Sequence, residues 1–162
     1  MPLPVRTHST THVGLVHQRN EDSLAIEEGE DGGLMLLVCD GMGGMGRGDI
    51  ASALAVKEIT QRMITGDGFP QDRIRRAIRQ TDRIVRDELC SSGDGLPGAT
   101  AVLVYLLDGQ AHVGWVGDSR AYLVRGRRVL ERTRDHKLVE ELIEAGQLTS
   151  DQAKDSLSLI HI

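Results

Sequence analysis

The sequence is poor in residues that mark several functional classes. Aromatic residues make up only 2% of its 162 residues, and there are two cysteines, Cys39 and Cys90. Two cysteines build no disulfide framework, and neither lies in a Cys-x-x-Cys zinc pattern. Cys39 lies within an apolar run, which predicts a buried thiol rather than a nucleophile. Because aromatic residues are so few, the core must consist mainly of aliphatic side chains.

Membrane and nucleic-acid functions are also disfavoured. No apolar stretch approaches the ~20 residues that cross a bilayer, and residues 1–11 lack the apolar segment of a signal peptide. With 19 basic and 24 acidic residues the net charge is −5, which gives no electrostatic reason to bind nucleic acid. The arginines between Arg73 and Arg86 alternate with acids at helical spacing, a pattern typical of a solvated helix face. We expect a cytoplasmic protein without nucleic-acid or membrane partners in this segment.

The most informative stretch that is present runs from Leu36 to Gly48. An apolar run, which predicts a buried strand, ends at Asp40, and five glycines follow within eight residues. Glycines let the backbone approach a ligand closely and expose its N–H and C=O groups. A carboxylate that a rigid strand delivers into such a loop suits a hard cation or a phosphate group.

The remaining pattern predicts one domain of mixed architecture. Strands, then helices, then a strand meander favour an α+β fold with antiparallel sheet over a doubly wound α/β fold. The pair Asp108-Gly109 between two apolar runs predicts a hairpin. The predicted elements are an extended segment over 11–26 with a turn at 18–20, a strand over 34–39, a helix capped by Asp49 and ending near Arg62, a helix over 72–90, strands over 99–107, 110–116 and 119–125, and a helix over 137–145.

Four acidic residues lie at turns or strand ends. Glu21 and Asp22 follow Asn20, Asp40 ends the strand described above, and Asp118 ends a later one. Oxygen ligands from separate chain segments are what Mg²⁺ and Mn²⁺ prefer. Two such ions about 4 Å apart can bridge a water and bind phosphoryl oxygens. Each motif alone is typical of a plain turn, so the interpretation depends on their ordered combination.

This ordered combination resembles the metal-dependent protein phosphatases (PPM, the type 2C serine/threonine phosphatases), bacterial branch. The resemblance runs from Thr10 to about Lys154. The motifs that carry it are Gly14-Leu15-Val16 with Asn20-Glu21-Asp22, Asp40-Gly41-Met42-Gly43-Gly44 with Ala51-Ser52, Gly98-Ala99-Thr100-Ala101, Val116-Gly117-Asp118-Ser119-Arg120-Ala121-Tyr122, and Thr133-Arg134-Asp135-His136.

The resemblance implies an α-β-β-α sandwich of two antiparallel sheets flanked by helices, with a site for two Mn²⁺ or Mg²⁺ ions between the sheets. Asp40 would bridge both ions, the Gly41 carbonyl would bind one, and Glu21 would join directly or through water. Asp22 would orient metal-bound waters, and Asp118 would belong to a third metal site. Asp40, Glu21 and Asp22 would thus support hydrolysis of phosphoserine and phosphothreonine by a metal-activated water. The implied partners are phosphoproteins and a cognate Ser/Thr kinase.

Two positions depart from the family pattern. His17 stands where the family usually places a phosphate-binding arginine, four residues before the glutamate. His17 could donate a hydrogen bond to phosphate, or Arg19 could reach in; the alternative is a turn histidine without any such contact. Met42 stands where eukaryotic relatives use a histidine as general acid, so the proton for the leaving group would come from elsewhere.

The last residues also depart from the family. Two later aspartates that ligate the first metal in relatives are absent, and residues 157–162 read Leu-Ser-Leu-Ile-His-Ile. That hexapeptide matches the in-frame translation of the transposase end sequence used to prepare sequencing libraries; the alternative is a natural apolar tail that forms the end of a strand. We expect residues 1–156 to be the N-terminal part of a PPM-type domain and residues 157–162 to be a non-native tail. A C-terminally truncated chain of this kind is expected to be weakly active or inactive.

Two other functions stay open at this point. The first is a catalytically silent relative that binds phosphoproteins or metal without hydrolysis. The second is a nucleotide-binding module built on the glycine-rich loop. The second is weaker because the sequence has no GxxxxGK[ST] motif, and no lysine follows the glycines until Lys57.

Overall fold

A computed structural model describes residues 5–43, 47–89 and 97–136. The predicted helix over 137–145 and the predicted tail over 157–162 lie outside these residues. Within the described ranges, in chain order, the secondary structure elements are β1 (Asp22–Glu28), β2 (Leu34–Met42), α1 (Gly48–Ile64), α2 (Pro70–Leu89), β3 (Gly98–Ala99), β4 (Ala101–Leu107), β5 (Gln110–Val116), β6 (Tyr122–Arg125) and β7 (Arg128–Arg132).

The strands form one main sheet and one separate hairpin. The main sheet has the order β1-β2-β4-β5, and β3 extends the pairing at the end of β2, while β6 and β7 pair with each other. Every pairing is antiparallel. Asp108 and Gly109 both have positive φ, 50° and 74°, which is the backbone of a tight hairpin turn. The α+β class, the antiparallel pairing and this turn are confirmed.

Both long helices pack on one face of the main sheet. Alternate residues of β2 point toward the helices, and Met35, Leu37 and Cys39 are 0–2% exposed. Ile59 and Met63 of α1 meet them in the same core cluster. The predicted burial of Cys39 is confirmed, and this burial raises the pKa of its thiol to about 12.

Several strand boundaries differ from the prediction. β1 begins at Asp22, so the extended segment predicted from Thr11 is a strand only in its second part. β2 continues past Cys39 because Gly41 and Met42 pair with β3. β6 begins at Tyr122, three residues later than predicted. These differences arise from pairing partners that are distant in the sequence.

The helix starts differ as well. α1 begins at Gly48, so Asp49 lies in the first turn and is not the N-cap; the N-cap position is Arg47, which makes no side-chain capping bond. α2 begins at Pro70 rather than at Asp72. A proline fits the first position of a helix because its missing N–H would have no partner there. No helix in the described ranges is long and apolar enough to span a bilayer.

A buried polar network ties α2 to the sheet. Arg73 is only 4% exposed, so its assignment to a solvated helix face was wrong. Its Nη1 donates to Asp31 Oδ2 at 2.7 Å and to the Gly66 carbonyl at 2.8 Å, and its guanidinium lies 4.6 Å from the centre of the Tyr105 ring. The Tyr105 hydroxyl donates to the same carboxylate. Burial alone would raise the pKa of Asp31, but hydrogen bonds from Tyr105 and Gly33 and the charge of Arg73 lower it overall.

Candidate metal centre

The structure pairs two of the candidate acids across neighbouring strands. Asp22 of β1 lies directly opposite Asp40 of β2, so both side chains are on the same face of the sheet, with Cβ atoms about 5 Å apart. Asn20 lies two residues before Asp22, the first residue of β1, and its Oδ1 accepts a hydrogen bond from the Asp22 N–H at 3.1 Å. The Asn20 amide in turn donates to Thr11 Oγ1 at 2.7 Å. Asn20 therefore acts as a turn residue that places Asp22.

Glu21 directly precedes β1, and its side chain lies on the opposite face of the sheet from Asp22. Its carbonyl accepts from the Gly41 N–H at 3.0 Å, which continues the β1–β2 ladder by one residue. Neighbouring residues in a strand point to opposite faces, and the Glu21 carboxylate meets the beginning of α1. A Cβ on Gly48 would lie 2.6 Å from Glu21 Oε2. A carboxylate is favoured at a helix N-terminus by the exposed N–H groups there.

Gly41 lies where β2, β1 and α1 meet. It is buried, and a Cβ at this position would lie 2.6 Å from the Glu21 carbonyl oxygen and would overlap the Gly48 carbonyl. A glycine is therefore needed here for close packing. The same packing fixes the position of the Gly41 backbone, which follows Asp40 near the end of β2.

Asp118 follows β5 in a loop that several contacts hold in place. Gly117 has a φ of 92°, which favours glycine, and its carbonyl accepts from the His136 N–H at 2.9 Å. Arg120 forms a bidentate pair with Asp135, with Nε–Oδ1 and Nη2–Oδ2 distances of 2.6 Å. The segment that contains Asp135 and His136 thus fixes the loop that carries Asp118.

The acids influence one another electrostatically. Burial raises the pKa of the Asp40 carboxyl, and Asp22, Asp118 and Glu21 raise it further. Several carboxylates close together supply negative charge and oxygen ligands, which suit a hard divalent cation such as Mn²⁺ or Mg²⁺. In the part of the chain that the structure describes, no group of three or more Asp, Glu, His or Cys side chains is placed so that it could hold a metal ion on its own. These residues thus form part of a ligand set for such an ion. Asp22 is the acid that pairs directly with Asp40 across the strands.

The two candidate phosphate-binding residues differ in their surroundings. His17 is exposed, and its neighbours Leu15 and Val16 are 100% and 87% exposed. Arg19 Nη1 lies 3.9 Å from Asp49 Oδ2, in the first turn of α1. Arg19 therefore lies near the helix end that Glu21 contacts, whereas His17 belongs to an exposed segment.

Sequence reasoning missed the role of two hydroxyl groups beside Asp40. Thr100 Oγ1 accepts from the Asp40 N–H at 3.1 Å, and the Ser119 hydroxyl lies 2.5 Å from the same oxygen. Thr100 lies in the Gly98-Ala99-Thr100-Ala101 motif, which was noted without a role for its hydroxyl. The cross-strand register that reveals the contact cannot be deduced from the motif alone.

Trp115 of β5 is half-buried. Its ring stacks on His136 with centroids 5.4 Å apart, and its Nε1 donates to the Arg134 carbonyl at 2.6 Å. His136 thus packs against Trp115. The helix that it was predicted to precede lies outside the described residues.

Comparison with known proteins identifies the family of the chain. The sequence profile of the family Protein phosphatase 2C matches residues 6–142. The chain belongs to the protein phosphatase 2C family. The resemblance noted from its motifs is therefore confirmed.

Curated members of the phosphatase 2C family are similar over most of the chain. The serine/threonine phosphatase stp of Listeria welshimeri is 30% identical over 151 residues, which cover 88% of this chain and 59% of the relative. The protein phosphatase PhpP of Streptococcus pneumoniae is 32% identical over 149 residues, which cover 89% of this chain and 60% of the relative. The chain thus spans about three fifths of the length of these relatives.

Solved structures of phosphatase 2C relatives share the fold. The serine/threonine phosphatase of S. agalactiae superposes with a TM-score of 0.73 at 29% identity, covering 94% of this chain and 65% of its own. The Mycobacterium tuberculosis serine/threonine phosphatase PstP/Ppp gives a TM-score of 0.66 at 25% identity, covering 92% and 62%. The expected fold is confirmed for the part of the family domain that this chain contains.

Proposed function

We propose that the phosphatase 2C domain of this protein hydrolyses phosphoserine and phosphothreonine in protein substrates with the help of Mn²⁺ or Mg²⁺. The observation that carries the proposal is the direct cross-strand pairing of Asp22 and Asp40, with Asp118 and Glu21 close enough to raise the pKa of Asp40. Membership in the phosphatase 2C family supports the same reaction.

Each residue has a proposed task in this reaction. Asp40, the Gly41 carbonyl and Asp118 hold the divalent ions, and Glu21 contributes a carboxylate from the α1 side. Asp22 accepts hydrogen bonds from water at the site and so orients it. When bound, the ions activate water for attack and neutralise charge on the phosphoryl oxygens.

Phosphate binding is assigned to the segment before β1. Arg19 is the better candidate because it is tied to α1 through Asp49, and its guanidinium can bind two phosphate oxygens at once. His17 is a second candidate that would bind more strongly when protonated. The expected partners are phosphorylated proteins and a cognate Ser/Thr kinase, and the expected location is the cytoplasm.

The central test replaces Asp40 by an isosteric neutral residue. Mn²⁺ binding by titration calorimetry and Mn²⁺-dependent hydrolysis of p-nitrophenyl phosphate and a phosphothreonine peptide are measured for wild type and Asp40→Asn. We expect Asp40→Asn to weaken Mn²⁺ binding at least ~10-fold and to abolish the Mn²⁺-dependent turnover. Asp108→Asn is the matched control, because Asp108 lies in the β4–β5 turn with φ 50°, a backbone that asparagine tolerates.

The results also separate the second candidate function. A silent relative is favoured by the incomplete cage among the described acids, and it would bind Mn²⁺ or the phosphopeptide without turnover. The 162-residue chain is itself expected to be weakly active or inactive, so absence of turnover alone does not reject the phosphatase proposal. Mn²⁺-dependent turnover that persists in Asp40→Asn would reject it. Turnover comparable to that of the Streptococcus pneumoniae relative would instead contradict the expectation that the 162-residue chain is weakly active or inactive.

A further inference from the structure

Thr100 is bonded to both polar groups of the Asp40 main chain. The Thr100 N–H donates to the Asp40 carbonyl at 2.8 Å, and the Asp40 N–H donates to Thr100 Oγ1 at 3.1 Å. Thr100 is 1% exposed, so water does not compete for these bonds. The backbone of Asp40 is therefore held at two points by one residue.

The second of these bonds replaces a normal sheet bond. Pairing on either side, Val38 with Val102 and Gly41 with Ala99, places Asp40 directly opposite Thr100. In an antiparallel pair of this kind the two residues exchange both backbone bonds, so the expected acceptor for the Asp40 N–H is the Thr100 carbonyl. The hydroxyl takes that place, which makes the sheet at this point dependent on one side chain.

The same hydroxyl reaches the loop that carries Asp118. Thr100 Oγ1 and Ser119 Oγ are 2.5 Å apart, and either can be the donor. The methyl group of Thr100 packs on Gly117, where a Cβ would lie 2.6 Å from Thr100 Cγ2. Thr100 thus contacts the residues on both sides of Asp118 as well as Asp40 itself.

We infer that Thr100 is a positioning residue that sets the separation of Asp40 and Asp118 through its hydroxyl. The inference rests on the proposed metal centre, in which these two carboxylates bind divalent ions. A metal site is sensitive to such outer contacts, whose loss typically weakens binding 10- to 100-fold. A purely structural threonine would affect the stability of the fold but not the metal affinity of the folded protein.

The test removes the hydroxyl and keeps the shape. Mn²⁺ affinity is measured by titration calorimetry, and the fraction of free Mn²⁺ is followed by electron paramagnetic resonance, for wild type, Thr100→Val and Thr100→Ser. We expect Thr100→Val to bind Mn²⁺ at least ~10-fold more weakly, and Thr100→Ser to stay within about 3-fold of wild type. Thr81→Val is the matched control, since Thr81 is 4% exposed and its hydroxyl has no partner in the described residues.

The outcomes distinguish this inference from the proposed function. Equal Mn²⁺ affinity of folded Thr100→Val and wild type would overturn the inference and leave the metal centre intact. Absence of Mn²⁺ binding by wild type would overturn both. If Thr100→Val does not fold, Ser119→Ala decides, because it removes only the bridge to the Asp118 loop. A loss of affinity in Ser119→Ala supports the inference, and an unchanged affinity rejects it.

Discussion

Two glycines allow β2 and the first turn of α1 to touch beside the acids. Gly41 and Gly48 are in contact through their backbones, and the Glu21 side chain packs on Gly48. Neither has the positive φ that usually explains a glycine. Close approach is the reason for both, so each position should reject even a methyl group.

The first prediction concerns Gly48→Ala. Within a helix this change usually stabilises by about 0.5–1 kcal/mol. Here the new Cβ would lie 2.6 Å from Glu21 Oε2 and 2.9 Å from the Gly41 carbonyl carbon, so overpacking should reverse the sign. We expect a loss of about 1–3 kcal/mol in the free energy of unfolding, measured by urea denaturation.

Gly98→Ala is the control for that measurement. The nearest neighbour of a Cβ at Gly98 is Met42 Cγ at 4.0 Å, an ordinary contact, and Gly98 has no positive φ. Its effect should stay within about 0.5 kcal/mol. A stabilised Gly48→Ala variant would show that Glu21 moves away from α1 without cost.

At the scale of elements, the Asp31 carboxylate joins three parts of the fold. It accepts from Tyr105 of β4 and Arg73 of α2 while lying in the β1–β2 turn. Loss of one member of a buried charged pair leaves the other without compensation. The Asp31 side chain is 33% exposed, so solvent reduces this cost.

The second prediction is that Asp31→Asn destabilises the fold in a pH-dependent manner. At pH 7 we expect a loss of about 1–3 kcal/mol, because Arg73 loses its counter-charge. The pKa of Asp31 is lowered from 3.8 by folding, so its stabilising contribution is complete above pH 3.8 and is lost as the pH falls through the folded-state pKa. The stability difference between wild type and variant should therefore shrink below pH 4.

Denaturation curves at pH 7, 5, 4 and 3 measure this difference. Asp67→Asn is the control, because the structure shows only the Asp67 carbonyl in a hydrogen bond, with Arg76. A difference that stays constant down to pH 3 would mean that the charge of Asp31 contributes nothing to stability.

The elements show how much of the fold could be predicted from the sequence. Apolar runs and the Asp108-Gly109 turn predicted the strands and their antiparallel pairing, since both signals are local. Arg73 was assigned to the wrong environment because its partner Asp31 lies 42 residues earlier in the chain. The end of β2 was placed too early because β3, which extends it, also comes from a distant segment.

The motifs predict which residues belong to the candidate site, but they do not predict how those residues are arranged. The motifs identify Glu21, Asp22, Asp40 and Asp118, and the other three acids all raise the pKa of the Asp40 carboxyl. Which of the adjacent acids faces Asp40 depends on the strand register, which the motif does not specify. The hydroxyl of Thr100 was overlooked for the same reason.

At the scale of the whole molecule, the main sheet and the β6–β7 hairpin differ in how far their side chains are buried. Residues of β6 and β7 are all exposed, and among the described residues these strands pair only with each other. β2 and β4 lie inside the main sheet, where Leu37 and Leu103 are 2% and 0% exposed. A two-stranded hairpin without a covered face is only marginally stable.

The third prediction is a large contrast in amide hydrogen exchange. Amides of β6 and β7 should exchange at least ~100-fold faster than those of Leu37 and Leu103, since the hairpin can open without disturbing the helical core. Exchange followed by NMR at pH 7 gives the rates residue by residue. Similar protection of the hairpin and of β2 would show that a further part of the chain covers it.

The stacking of Trp115 on His136 has a practical consequence. Trp115 is the only tryptophan in the sequence, and its indole touches the segment that fixes the Asp118 loop. Its fluorescence therefore comes from a single position a few residues from a proposed metal ligand. Trp115 is therefore an intrinsic fluorescence probe. Its emission reports whether the segment that contains Arg134 and His136 stays packed beside the Asp118 loop.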